Sequence, residues 1–268
     1  MKTFMAHRTA AAVRTAAAVA VLALAPAMAA LLVSPAAAQP TEDTVATDMG
    51  DLVVHPIHHA AMMLTWNGLN ILIDPAPPPG GGGGGDVTAE YTAMPTPDLI
   101  LVTDIHGDHM SADILAALSG DAPIVVPQAV ADQLPEALSA RIQVLANGES
   151  TTVEGIGIEA VAMYNLTEDR LQFHDKGRGN GYVLTIGGKR IYISGDTEDI
   201  PEMRALENID VAFICMNLPY TMTVEQAADA VREFQPVITY PYHYGMSDVN
   251  AFSDMVGDAS DVRLLKWY

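Results

Sequence analysis

Apolar and polar positions along this chain fall into two rhythms. Over residues 52–73 they suit paired strands: Ala60 to Trp66 and Leu69 to Ile73 flank Asn67-Gly68, a two-residue hairpin turn signal. Asp74-Pro75 ends the second of these strands. Beyond residue 95 strands and helices alternate. Leu99 to Thr103 and Ile124 to Val126 read as short buried strands, with helices from Ser111 through Leu118 and from Gln128 to Leu134. The pattern then restarts. Ile156 to Met163 is a strand, and Tyr182 to Ile186 and Arg190 to Ser194 flank Gly187-Gly188 as a second hairpin. Val211 to Met216 is a buried strand, and Thr223 with Gln226 makes a capping box for a helix to Phe234. Val237 to Tyr240 is a last core strand, and Arg263 to Trp267 is expected at an edge. Each half thus runs from strands into αβ alternation, which suits a sheet–sheet core with helices outside.

Residues 39–51 are polar and aperiodic, and predict a flexible lead into a single domain over 52–268. Ahead of them, Lys2, Arg8 and Arg14 precede an apolar run from Ala16 to Val33, closed by Ala36-Ala37-Ala38. That is the layout of a secretory signal peptide over residues 1–38, and it predicts export to the periplasm or beyond the cell. An alternative cut follows Ala29, and a retained anchor is the competing reading; Pro26 interrupts the run and argues against it. Pro77-Pro78-Pro79 and the glycines Gly80 to Gly85 lack the Gly-Lys-Ser/Thr ending of a phosphate loop, so they predict a solvated insertion or a flap beside a site.

Removing residues 1–38 takes three of 13 basic residues and none of 33 acidic ones, which leaves a formal charge of −23. Such a surface repels nucleic acid and anionic membranes, so the expected partner is a small molecule, with no stable membrane association after signal cleavage. The single cysteine, Cys215, sits in an apolar run, cannot form an intramolecular disulfide and predicts a buried thiol.

The candidate chemistry is concentrated in Thr103-Asp104-Ile105-His106-Gly107-Asp108-His109, where four potential metal ligands fall within six residues directly after a buried strand. Asp104 and His106, two apart on extended chain, point the same way, and Gly107 permits a turn after which Asp108 and His109 can face a second cation. Imidazole and carboxylate suit zinc, iron or manganese. Two later apolar strands also run into potential ligands, at Gly195-Asp196-Thr197 and at Tyr242-His243. If the strands share sheets, these ends converge on one edge.

The chain resembles the metallo-β-lactamase superfamily of hydrolases over roughly residues 52–267, and within it the ascorbate-6-phosphate lactonase-like branch. The family motif His-x-His-x-Asp-His corresponds to Asp104-x-His106-x-Asp108-His109, the Gly-Asp-Thr turn to Gly195-Asp196-Thr197 and the final ligand to His243. His59-Ala60 and Asp74-Pro75 are also similar. The resemblance implies a four-layer αββα sandwich with one or two divalent ions, zinc foremost, held by Asp104, His106, Asp108, His109, Asp196 and His243. It also implies a metal-bound hydroxide attacking a small ester, lactone or amide, oriented by Asp108, with Asp196 bridging the cations and His59 supporting the site without ligating.

Two departures stand out. Aspartate replaces the leading histidine at Asp104, which favours a harder ion such as iron or manganese. The family's further histidine after the Ile156–Met163 strand is missing, and Asn165 or His174 is left to complete the site. A phosphodiesterase or phospholipase-type activity is the rival within the fold, with Lys176 and Arg178 as candidate phosphate binders; an exported, non-catalytic metal binder is the rival outside it.

Overall fold

Asn67 and Gly68 both take positive φ (50° and 83°), and so do Gly187 and Gly188 (55° and 82°). Paired positive-φ residues match the right-handed twist of flanking strands, which is why these dipeptides close hairpins. The structure, a computed structural model, describes Met1 and residues 39–80, 86–118 and 120–268. The signal-like segment and Gly81 to Gly85 lie outside the described residues.

The first hairpin, β3 (Ala61–Trp66) and β4 (Leu69–Ile73), belongs to a seven-stranded sheet. β1 (Asp43–Thr47) and β2 (Gly50–His58) precede it, and β5 (Leu99–Leu101), β6 (Ile124–Val126) and β7 (Ile142–Val144) follow. The order is sequential, β1 to β4 antiparallel and β4 to β7 parallel. The second sheet repeats this plan. β8 (Ser150–Val153), β9 (Ile156–Met163), β10 (Gly179–Ile186) and β11 (Lys189–Ile193) are antiparallel; β12 (Val211–Cys215), β13 (Ile238–Tyr242) and β14 (Asp261–Val262) continue in parallel. The two coarse halves of the hydrophobic pattern are therefore two sheets of one topology.

Alternation along β3 shows how the layers form. Met62 and Leu64 enter the core shared with the second sheet, whereas Ala61 and Met63 pack the opposite face. That outer face is covered by α1 (Val87–Thr92), α2 (Ala112–Ala117) and α3 (Gln128–Ala131), through Tyr91, Ile114, Leu115 and Val130. Against the second sheet lie α4 (Pro201–Arg204), α5 (Val224–Phe234) and α6 (Val249–Val256). α5 carries the capping box expected at Thr223 and Gln226, and buries Ala227, Ala228 and Val231. The architecture is the four-layer αββα sandwich.

Three local expectations are corrected. The lead 39–51 is not uniformly flexible: Asp43–Thr47 pairs with β2, Val45 is buried, and Asp43 accepts hydrogen bonds from Tyr240 and Arg263. Its polar residues are those of an edge strand with one face in water. The last strand lies at Asp261–Val262, not Arg263 to Trp267, and Trp267 is instead buried whole in the core. α3 stops at Ala131, where Gln133 and Leu134 turn to i→i+3 bonds with Val130 O and Ala131 O, and Pro135 bars any further helix. No helix among the described residues is long and apolar enough to cross a membrane.

Candidate metal centre

Strand ends of both sheets meet at one edge, tied by backbone hydrogen bonds between the sheets. Asn180 N–H donates to Thr103 O (2.9 Å), and His243 N–H to His59 O (3.2 Å). His59, Asp74 and His243 all adopt left-handed backbone (φ 50°, 47° and 46°), a conformation that costs non-glycine residues energy and persists where surrounding structure imposes it. Gly195 (φ 62°) must be glycine, since a Cβ there would stand 2.5 Å from Met163 Sδ and 3.2 Å from Asn180 O. This turn delivers Asp196.

The first sheet supplies its donors from the turn after β5. Behind them sits Asp74, wholly buried at the end of β4. It accepts from Thr103 N–H (2.7 Å) and Thr103 Oγ1–H (2.7 Å), and its Oδ2 lies 2.8 Å from His109 Nδ1. That contact directs His109 Nε2 at Asp196 Oδ2, 3.3 Å away. Burial works against charge on His109, but Asp196 and Asp74 outweigh it and raise its pKa well above the ordinary value. From the turn between β2 and β3, His59 Nε2 lies 3.1 Å from Asp108 Oδ2, and His59 Nδ1 2.8 Å from Tyr268 Oη.

The second sheet brings His243 Nε2 to 3.2 Å from Asp196 Oδ1 and 3.5 Å from Asp108 Oδ2. His174 Nε2 stands 3.3 Å from Asp196 Oδ2 and 3.9 Å from Asp104 Oδ2. His106 Nδ1 contacts Asp104 Oδ2 at 2.8 Å. Burial raises the Asp196 carboxyl, but the charges of His243 and His109 and the close approach of the His109 and His174 rings hold it well below the carboxylate range. Asp108 is likewise lowered against burial, by the close approach of His243 and by the His59 hydrogen bond. Asp104 falls to about 2, burial again opposing, through the His106 hydrogen bond and the charges of His109, His106 and Arg178.

Three sets of donor atoms each lie within 4.8 Å of one another: His59, Asp108 and His243; Asp104, His106 and His174; His109, Asp196 and His243. Within these sets His109 Nε2, both ring nitrogens of His174 and of His243, and Asp196 Oδ1 are buried without a hydrogen-bond partner. Buried polar atoms left unpaired are costly, and so many converging in one place fit a site built for divalent cations.

All six residues proposed from sequence as ligands therefore come together, with His174 and His59 beside them. Asn165 is buried, and its Oδ1 has no hydrogen-bond partner. Its amide nitrogen donates to Arg170 O (2.9 Å) and Tyr220 O (2.7 Å), and its N–H to His174 O (3.0 Å), so it braces the loop that carries His174. Sequence reasoning missed Asp74 as the support of His109, although Asp74-Pro75 was visible. It also misread Arg178, whose guanidinium grips Asp104 at both oxygens (3.1 and 3.0 Å), and Lys176, which pairs with Glu202 at 2.6 Å.

Above the donors opens a cleft of about 930 Å³. Phe173, Leu218, Tyr220, Met246, Trp267 and Tyr268 give it an apolar wall, and Pro78 and Pro79 reach its rim from the glycine-rich insertion. Among the described residues that line it there is no lysine or arginine.

The family description "Beta-lactamase superfamily domain" matches residues 54–243. A UPF0173 metal-dependent hydrolase of Pyrococcus abyssi is 34% identical over 179 residues, 63% of this chain and 78% of the relative. Another, of Symbiobacterium thermophilum, is 32% identical over 222 residues, 76% and 89% of the two chains. The crystal structure of a Parabacteroides distasonis protein described as a metal-dependent hydrolase is 40% identical with a TM-score of 0.74, covering 84% of this chain and 99% of that one. A metallo hydrolase from Ignicoccus hospitalis, 22% identical with a TM-score of 0.65 over 80% and 95% of the chains, shares the fold.

Proposed function

We propose, from the premise that this chain belongs to the beta-lactamase superfamily and is a metal-dependent hydrolase of its fold, that it cleaves a small, uncharged ester, lactone or amide bearing an apolar group. The observation that carries the reading is the meeting of unpaired, buried imidazole and carboxylate donors with an apolar cleft whose described lining residues include no lysine or arginine. Divalent ions in such a site lower the pKa of water from about 15.7 towards about 7 and polarise the oxygen under attack.

The protein's own residues then have separable tasks. Asp104, His106 and His174 would hold one ion, and His109, Asp196 and His243 another, with Asp108 within reach beside His243 as a further ligand. Asp108 is the most exposed of the three aspartates, its side chain 30% accessible beside the cleft, and it is the carboxylate best placed to orient a nucleophile. His59, fixed by Tyr268, positions Asp108. The apolar wall excludes water from the leaving group and selects against charged substrates. Zinc suits the imidazole-rich end, and Asp104 admits a harder ion such as iron or manganese. The likeness to the lactonase-like branch supports a lactone among the substrates.

Phosphodiester cleavage gains no support from Arg178 or Lys176, since each is engaged by a carboxylate. The layout of residues 1–38 supports export and cleavage, which N-terminal sequencing of protein recovered from the periplasm or medium tests. For the activity, metal-loaded protein is assayed on chromogenic esters, lactones, amides and a phosphodiester, with chelator-treated and reloaded samples alongside. Turnover of a neutral carbonyl substrate that is lost and restored with metal supports the reading. Turnover of the phosphodiester alone overturns it in favour of phosphoryl chemistry, and bound metal with no turnover in favour of a binder.

A further inference from the structure

Aspartate in place of the first motif histidine puts a carboxylate, completely buried, where the resemblance implies a neutral ring. An unpaired buried carboxylate is costly, and the fold answers with Arg178. The guanidinium donates from Nε to Oδ1 (3.1 Å) and from Nη2 to Oδ2 (3.0 Å), and Nη2 also reaches Phe173 O. The contact is the forked, bidentate pair that only arginine makes, and arginine does not lose its proton in proteins. Both oxygens of Asp104 are thus engaged, and Oδ2, the one facing His106 and His174, carries the second bond.

The other end of the site is built differently. His109, Asp196 and His243 have side-chain exposures of 0%, 4% and 1%, and their facing atoms include three with no hydrogen-bond partner. Among the described residues no lysine or arginine is paired with any of them. At the Asp104 end Asp104 and His174 are equally buried and both His174 ring nitrogens are unpaired, but the His106 ring is 40% exposed and a cation approaching Oδ2 meets a fixed positive charge on the same oxygen.

We infer that Arg178 makes the two metal positions unequal: one ion binds tightly among His109, Asp196 and His243, and a second binds weakly among Asp104, His106 and His174, at an affinity Arg178 sets. The inference rests on the metal-dependent reading. Arg178 acts here as a positioning residue, holding Asp104 and the backbone just before His174 together while lowering the charge the second ion encounters.

The test is a zinc titration of metal-free full-length protein against a chromophoric chelator, for the wild type, Arg178→Met and Arg178→Lys. The wild type should bind one zinc at least about tenfold more tightly than the next, by the affinity arithmetic that makes each tenfold step resolvable. Arg178→Met, with Asp104 uncompensated, should tighten the second step by about tenfold or more. Arg178→Lys, which keeps the charge, should leave the second step weak. Should Arg178→Met fail to fold, the wild-type steps and the lysine variant decide alone. Two equal steps in the wild type, a second step no tighter in Arg178→Met, or equal tightening in Arg178→Lys each overturn the inference and leave the hydrolase reading intact. Absence of any zinc binding overturns both.

Discussion

The first sheet offers its donors from one turn, Asp104 to His109, backed by the buried carboxylate of Asp74. The second sheet offers His174, Asp196 and His243 singly, from a loop and from the ends of β11 and β13. One side of the centre is therefore assembled by local sequence, and the other by tertiary structure. On the second side Gly195 turns the chain beside Met163, Asn165 braces the His174 loop, and Glu198 clamps that loop at Leu166, Thr167 and Arg170. Glu198 is fully buried, and accepts from Leu166 N–H, Thr167 N–H, Thr167 Oγ1–H and Arg170 Nη1–H, all at 2.6 Å. A site divided this way is only as good as the register between the sheets, which the His243–His59 and Asn180–Thr103 backbone bonds set.

The largest expected effect comes from removing one donor on each side. His109→Ala and His243→Ala should each lower kcat/KM by more than the roughly 10- to 100-fold that loss of an outer partner costs, with circular dichroism unchanged. A large loss in one variant and none in the other would break the idea that both sheets serve one centre. Next, Glu198→Ala should cost about 3 kcal/mol of stability, because it removes the acceptor of four hydrogen bonds and leaves the Arg170 charge with only the neutral acceptors Thr221 O and Gln226 Oε1. Urea unfolding measures this, and a loss confined to the second sheet's side would sharpen the contrast.

A smaller effect concerns pH. In metal-free protein the raised pKa of His109 contributes stability that is complete below about 6.5 and fades as pH rises through the raised value. The lowered pKa of Asp104, about 2, contributes stability above its ordinary value of 3.8 that is lost as pH falls towards 2. Zinc requires a deprotonated imidazole, so the rise in melting temperature caused by zinc should grow between about pH 5 and 8. A zinc effect that shrinks over that range would contradict the role given to His109. The smallest effect is expected of Lys176→Ala. Lys176 lies outside the cleft against Glu202 and the Tyr164 ring, so KM and kcat for a neutral ester should not move.

The unequal construction also explains what could be read from the chain alone. The Asp104–His109 turn was legible because local spacing fixes it, and both hairpins were legible because Asn67-Gly68 and Gly187-Gly188 can hold positive φ at two successive positions. Asp196 and His243 were legible only by their place after apolar strands. Whether Asn165 or His174 would enter the site was not, since that depends on a loop whose shape comes from Glu198 and from the carbonyls of Arg170 and Tyr220. Nor was Arg178: a basic residue near a motif looks like an anion binder until Asp104 is seen within reach. β1 was hidden because an edge strand with one wet face has too few apolar positions to show a period. The wall of the cleft was hidden because Phe173, Tyr220, Met246 and Trp267 are scattered over some hundred residues of chain.

The central claim is that both sheets hold the same ion. Anomalous diffraction from crystals of metal-loaded protein, recorded at the absorption edge of the ion it carries, addresses it directly. The account predicts a peak about 2.0–2.2 Å from His109 Nε2, from an Asp196 oxygen and from His243 Nε2 at once. A peak bonded to residues of one sheet only, or no peak at that sheet edge, would contradict it.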